Sequence, residues 1–153
     1  MFAAALRNLL EANDIQYVTI SHEPSFTAQE TAASAHVSGY RMAKTVLAKF
    51  DGKLAMVVVP AAHRVNLDSL RKQTGAHRVE LAHEDEFASA FPECELGAMP
   101  PFGNLYGMDV FVERDLARNE RIVFNAGNHA ELVGLAYKDF ERLAHPKSFE
   151  AVS

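Results

Sequence analysis

Apolar positions along the chain change period several times, and each change marks an element. Phe2, Leu6, Leu9 and Leu10 recur on one helical face with Arg7, Asn8 and Glu11 between them, so the chain opens on an amphipathic helix ending near Asn13. The period switches to alternation over Gln16–Ser21, a run rich in β-formers that reads as a strand. Thr27-Ala-Gln-Glu30 has capping-box spacing and opens an alanine-rich helix to about His36, with Gly39 as its stop. Two apolar runs, Lys44–Phe50 and Leu54–Val59, flank Asp51-Gly52, a pair suited to the positive φ angles of a tight hairpin. The second run is apolar on both faces, which places it in the middle of its sheet, and Pro60 ends it.

Beyond Pro60 the pattern predicts a helix over Leu67–Thr74, a short strand near Arg78–Leu81 and a short helix over Glu84–Ala90. A long loop, Pro92–Gly107, holds three of the six prolines. Strands follow at Met108–Val112 and Arg121–Asn125, then a short strand or turn at Ala130–Val133. The last helix, Tyr137–Ala144, puts Tyr137, Phe140 and Leu143 on one face. Helices and strands are interspersed around at least one antiparallel hairpin. The fold class expected is therefore mixed α/β, a largely antiparallel mixed sheet or distorted barrel with packed helices, and not a doubly wound parallel sheet.

Length and composition narrow this further. At 153 residues the chain suits a single domain, 1–153, and its 48% hydrophobic content is that of an ordinary folded protein. A net charge of −5 argues against a general nucleic-acid coat, which feeds on phosphate neutralisation. Arg64, Arg71, Lys72, His77 and Arg78 lie close in sequence, as a solvated helix face or a docking surface would. The longest apolar run, Leu54–Ala62, is too short to cross a bilayer and no leader pattern precedes it, so a cytoplasmic protein without membrane partners is expected. The lone Cys94 permits no internal disulfide, and its neighbours Glu93 and Glu95 disfavour a thiolate. The histidines show no metal-binding spacing, and no glycine-rich dinucleotide turn, Walker loop or Gly-x-Ser-x-Gly elbow is present. Neither a metal nor a cofactor is expected.

Three features remain that look like chemistry. Lys44 shares a strand face with Val46, Ala48 and Phe50, so a cation stands at the end of an apolar face. Such a lysine either snorkels to solvent or meets a substrate oxygen or phosphate. Gly97-Ala-Met-Pro-Pro-Phe-Gly103 is a stiff, shaped loop that serves equally as a rigid connection or as a cradle presenting N–H groups to an oxyanion. Asn125-Ala-Gly-Asn-His129 follows an apolar strand directly and gathers polar groups at a loop tip.

Taken in order, these pieces resemble the YbaK family, which includes the editing domain inserted in bacterial prolyl-tRNA synthetases. The matching segments are His22-Glu-Pro24, the alanine-rich helix after Thr27, Lys44-Thr45-Val46, Leu54–Pro60, Gly97–Gly103, and Ile122–Gly127 with His129. The resemblance implies a barrel-like α/β fold and hydrolysis of the ester joining an amino acid to the terminal adenosine of tRNA, without cofactor. The substrates it implies are tRNA for proline carrying alanine or cysteine, or serine- and threonine-type errors. Lys44, Gly97, Gly103 and His129 would be the catalytic set. His22, Val46, Ala98, Met99, Pro100, Pro101, Phe102, Asn125, Ala126 and Gly127 would line the substrate. The partners implied are the aminoacylated acceptor end of tRNA and a synthetase that delivers it. The rival expectations are a non-catalytic module that binds the acceptor end and docks on a synthetase, and a hydrolase of other small esters.

Overall fold

The structure, a computed structural model, describes residues 3–25 and 27–150. Helix α1 (Ala4–Ala12) buries Leu6 and Leu10 as its spacing predicts, while Phe2, assigned to the same face, lies outside the described residues. Strand β1 (Tyr17–Ser21) leads to α2 (Ala28–Ser34), where the Thr27 hydroxyl accepts a bond from the Glu30 N–H at 3.1 Å. The chain reverses after α2 at His36, with φ of 57°, and not at Gly39. Gly39 is explained by packing, since a Cβ there would stand 3.3 Å from the Ala62 Cβ.

Strands β2 (Ala43–Phe50) and β3 (Lys53–Pro60) form the expected antiparallel hairpin. Asp51 and Gly52 take φ of 52° and 85°, the two positive angles such a turn needs. Helix α3 (Leu67–Thr74) is capped by Asn66, whose Oδ1 accepts from Ser69 N–H at 2.9 Å, and closed by Gly75 in the left-handed region. Then come β4 (Val79–Leu81), α4 (Glu84–Phe87), β5 (Asp109–Glu113), β6 (Arg121–Asn125), β7 (Glu131–Ala136), α5 (Tyr137–Ala144) and β8 (Lys147–Phe149).

The strands make two sheets, one ordered β1-β7-β6 and one β4-β2-β3-β5-β8. β3 is flanked on both sides, as its two apolar faces require. The barrel expectation is corrected here: both sheets are open among the described residues, and a single parallel bridge, Met42 to Val123, joins them. The larger sheet is mixed, because β5 and β8 run parallel to their neighbours.

Alternation along the strands divides the apolar side chains among three cores. The main core lies between the sheets, where Leu47, Met56, Val58, Val110 and Val112 meet Ile122, Phe124, Val133 and Leu135. Phe102 sits at its centre, its ring edge-on to Phe124 at 5.5 Å and to Phe140 at 5.6 Å. A second core on the outer face of the small sheet joins Ile20, Met42, Ala61, Val123 and Leu132 to Ala32 of α2. A third, on the outer face of the large sheet, joins Val57 and Val59 to Leu70 of α3. No helix among the described residues is long and apolar enough to cross a membrane.

Candidate functional site

Strand alternation places three of the expected site residues around one rim. Ile20, Met42 and Val123 each point into the second core. Two residues further along, on the same face, stand His22, Lys44 and Asn125. Three different strands thus present a polar side chain at the edge of one apolar patch. The parallel bridge between Met42 and Val123 sets Lys44 and Asn125 on the same side. The bond from His22 N–H to Ala130 O, at 2.9 Å, continues the β1–β7 ladder and sets His22 at the same end of the small sheet, one step beyond Asn125.

Lys44 is half-buried. Desolvation lowers its pKa from the ordinary lysine value; the nearby Arg64 lowers it further, and Glu113 pulls the other way. The Glu113 carboxylate is buried, and it lies 2.8 and 3.0 Å from His63 Nδ1 through its two oxygens. His63 and Glu113 are neighbours of the rim that the sequence did not single out, while Arg64 stood out only as part of a basic cluster. The one signal for Glu113 was indirect, a charged residue closing the apolar run Val110–Val112. Among the described residues, His63, Glu113 and Asp115 are also the group whose ligand atoms lie close enough, within 4.8 Å, to hold a metal ion. Lys44 lies near both Glu113 and Arg64, and Arg118 contacts Asp115 at 3.4 Å.

The loop after Asn125 is held from both sides. The Asn125 amide donates to Asn128 O at 3.2 Å, and Asn128 Oδ1 accepts from the N–H groups of Ala130 and Glu131 at 2.8 Å each. His129 is buried; its Nε2 lies 2.7 Å from Leu96 O and its carbonyl accepts from Ser25 N–H. A carbonyl only accepts, so Nε2 carries the ring proton in that contact. Gly97, with φ of 87°, lies against the same ring: a Cβ there would stand 3.4 Å from His129 Cε1. The Glu95 N–H donates to Gly127 O at 2.8 Å. His22, Gly97, Gly127 and His129 are therefore gathered by one set of loop contacts.

His22 carries a further mark. Its Nδ1 lies 2.7 Å from Glu23 O, so Nδ1 holds the proton, and its Nε2 is buried with no hydrogen-bond partner among the described residues. A buried acceptor without a partner costs stability and is a place for a ligand donor.

The rest of the Gly97–Gly103 loop turns away from this rim. Ala98, Met99, Pro100, Pro101, Phe102 and Gly103 are all buried, and Met99 and Phe102 join the main core, on the opposite face from Lys44. The Ala98 N–H is bonded to Glu95 O at 3.1 Å. Gly103 is a packing glycine, since a Cβ there would come within 2.6 Å of Met108 O and 2.7 Å of Val110 Cγ2. Ala126 is buried in the main core, and Val46 borders the third core on the same strand face as Lys44.

Comparison with known proteins agrees with this frame. The profile of the aminoacyl-tRNA editing domain matches residues 22–143. A proline–tRNA ligase of Staphylococcus saprophyticus is 32% identical over 104 residues, covering 67% of this chain and 18% of the ligase. One from Bacillus mycoides is 28% identical over 89 residues, covering 58% and 16%. The chain thus corresponds to a small part of these ligases. Among solved structures, a hypothetical protein superposes with a TM-score of 0.82 at 21% identity, over 94% of this chain and 96% of its own. A candidate trans-editing enzyme for prolyl tRNA synthetase does so with 0.80 at 17% identity, over 97% and 94%. At these identities the likeness is one of fold.

Proposed function

This chain belongs to the aminoacyl-tRNA editing domain family, and we propose that it acts in trans, hydrolysing the ester between a wrongly attached amino acid and the terminal adenosine of tRNA. The observation that carries this reading is the rim where His22, Lys44 and Asn125 leave three strands at the edge of the second core.

An aminoacyl ester needs no strong protein nucleophile. Water adds to the carbonyl carbon, the carbonyl oxygen takes up negative charge, and the carbon–oxygen bond to the ribose then breaks, with a proton passing to the departing ribose oxygen. Lys44 supplies positive charge to the developing oxyanion or to the terminal ribose. The negative charge of Glu113 nearby offsets part of the cost of burying that ammonium. The buried Nε2 of His22 is an acceptor suited to the substrate's α-ammonium group. His129, fixed by Leu96 O, shapes the approach together with Gly97.

A synthetase pocket for proline rejects a smaller amino acid weakly, because one methylene is worth about 1–3 kcal/mol. A second pocket of limited size removes such errors. Alanine or cysteine on tRNA for proline, or serine and threonine on their wrong partners, are the substrates this supports. The partners are the acceptor end of tRNA and a synthetase that hands it over.

The test is release of amino acid from tRNAs charged with alanine, cysteine, serine, threonine and proline. Selective release is expected, with Lys44→Ala slower by roughly 100- to 1,000-fold, the scale of one oxyanion donor. Binding of charged tRNA without release would assign a non-catalytic module instead. Undiminished release by Lys44→Ala would remove that residue from the mechanism.

A further inference from the structure

Outside the rim lies a cavity of about 370 Å³ lined by Tyr40, Pro60, His63, Asp115, Arg118 and Asn119. We propose that it receives an unpaired nucleobase carrying an exocyclic amino group, from the single-stranded 3′ end of the tRNA next to the reacting nucleotide. This rests on the editing function proposed above and adds a subsite to it.

Tyr40 is 63% exposed, although it lies only two residues before the bridge residue Met42. A large aromatic left in water beside a cavity offers a stacking surface, and bases stack on such rings. The backbone that carries the ring is anchored. The Tyr40 N–H donates to Ser38 Oγ at 3.2 Å, and the Tyr40 carbonyl accepts from Asn119 Nδ2 at 3.0 Å. His63 stands edge-on to the ring, 5.7 Å away at 80°, and makes a corner with it. That corner is rigid because His63 is held by both oxygens of the buried Glu113.

The polar groups are equally oriented. Asn119 Nδ2 donates to Leu116 O at 3.3 Å as well as to Tyr40 O, so both of its hydrogens face backbone carbonyls. The Asn119 Oδ1 makes no hydrogen bond among the described residues and is open as an acceptor. An acceptor beside a stacking ring reads an exocyclic amino group, as on cytosine or adenine, and finds none on uracil. Arg118, whose side chain is 83% exposed, supplies a cation at the mouth for the adjoining phosphate.

Position ties the cavity to the reaction. Tyr40, in the turn before β2, precedes Lys44 by four residues, which can span about 13 Å at most. His63 and Lys44 share Glu113 between them. A base seated on Tyr40 leaves the following nucleotide within reach of Lys44. An acidic chain has few cations with which to hold RNA, so base stacking is the chemistry left to it.

The test uses the whole chain. Cytidine 5′-monophosphate and uridine 5′-monophosphate are titrated into labelled protein and the amide shifts of residues near Tyr40 and Asn119 followed. Saturable shifts with the cytidine nucleotide, weaker with the uridine one and lost in Tyr40→Ala, are expected. In the deacylation assay, Tyr40→Ala is expected to raise KM by roughly 5- to 150-fold, the range for one stacked base, with kcat nearly unchanged. Tyr40→Phe, which keeps the ring, is expected to restore KM. Equal shifts from both nucleotides, or an unchanged KM in a folded Tyr40→Ala protein, overturn the subsite. If no charged tRNA is hydrolysed yet the cytidine shifts appear and depend on Tyr40, the base site stands and the editing function falls.

Discussion

Replacing Gly103 and Gly97 by alanine separates packing from chemistry within one loop. At Gly103 the added Cβ would lie 2.6 Å from Met108 O, 2.7 Å from Val110 Cγ2 and 3.2 Å from the Met108 carbonyl carbon. Two of these are backbone atoms, and they cannot swing aside as a side-chain tip does. The Gly103 carbonyl also accepts from the N–H groups of Tyr106 and Met108, each at 2.9 Å, so the loop is tied at that point. Overpacking of this kind costs about 1–3 kcal/mol. For a domain of this size each kcal/mol lowers Tm by roughly 2–4 °C, so Gly103→Ala is expected to melt about 2–12 °C lower. Its rate of deacylation per folded molecule, measured well below Tm, is expected to stay near that of the parent. Gly97→Ala differs. Its Cβ meets only the His129 ring, Cε1 at 3.4 Å and Nε2 at 3.9 Å, an ordinary contact, but φ of 87° is unfavourable for alanine. That strain is relieved by moving the backbone against the histidine ring, so the rate is expected to fall along with stability. Thermal melts and deacylation on the same preparations decide. A Gly103→Ala protein that melts with the parent but has lost its activity would refute the reasoning, and would place that glycine's backbone in the reaction.

Two further predictions concern titration. Burial and Arg64 lower the Lys44 pKa, so between its folded value and 10.5 the unfolded chain holds a proton that the folded chain has lost. Stability from this group therefore rises with pH across that window, while the rate falls as the ammonium disappears. An alkaline limb in kcat/KM below 10.5 that moves upward in Lys44→Arg is expected, and a limb at or above 10.5 would contradict it. Burial also raises the pKa of the Cys94 thiol, outweighing its contact with Tyr106 Oη at 3.6 Å. Iodoacetamide at pH 8 is expected to alkylate the native protein far more slowly than the urea-unfolded chain, and equal rates would count against a buried thiol.

Local patterns were legible and partner choice was not. The β2–β3 hairpin, α3 and α5 follow from turn chemistry, caps and period, all of which act within a few residues. Apolar alternation in Met108–Val112 announces a strand but says nothing of its direction, so the parallel pairings of β5 escape a reading of the sequence. β8, only Lys147–Phe149, is too short to show a period at all, and β7 extends to Ala136, past the Val133 limit that its pattern suggested. His36 took the left-handed turn expected of Gly39, because the helix ends earlier than its alanines suggest. For the site, the lysine at the end of an apolar face was visible, as was the polar loop ending in His129. The split of Gly97–Gly103 was not. Met99 and Phe102 suit a pocket wall and a core plug equally well, and only the sheet between them and Lys44 distinguishes the two.

The absence of a closed barrel bears directly on the proposed site. Along one edge β2 pairs with β3 over its whole length. Along the other it pairs with β4 only from Ala48 to Phe50, and the bridge toward β6 is made just before its start, at Met42, with Arg41 O accepting from Val123 N–H at 3.2 Å. Just past the bridge stand Lys44 on β2 and Asn125 at the end of β6. A closed barrel would continue the β2–β6 ladder past Met42, join these backbones by hydrogen bonds and leave no room for a ribose ester between them. Strand twist makes the separation natural, since neighbouring strands rotate by roughly 20–25° and a single bridge cannot hold two sheets together far from it. The bridge brings the lysine and the asparagine to the same face, which is where the proposed ester would meet them.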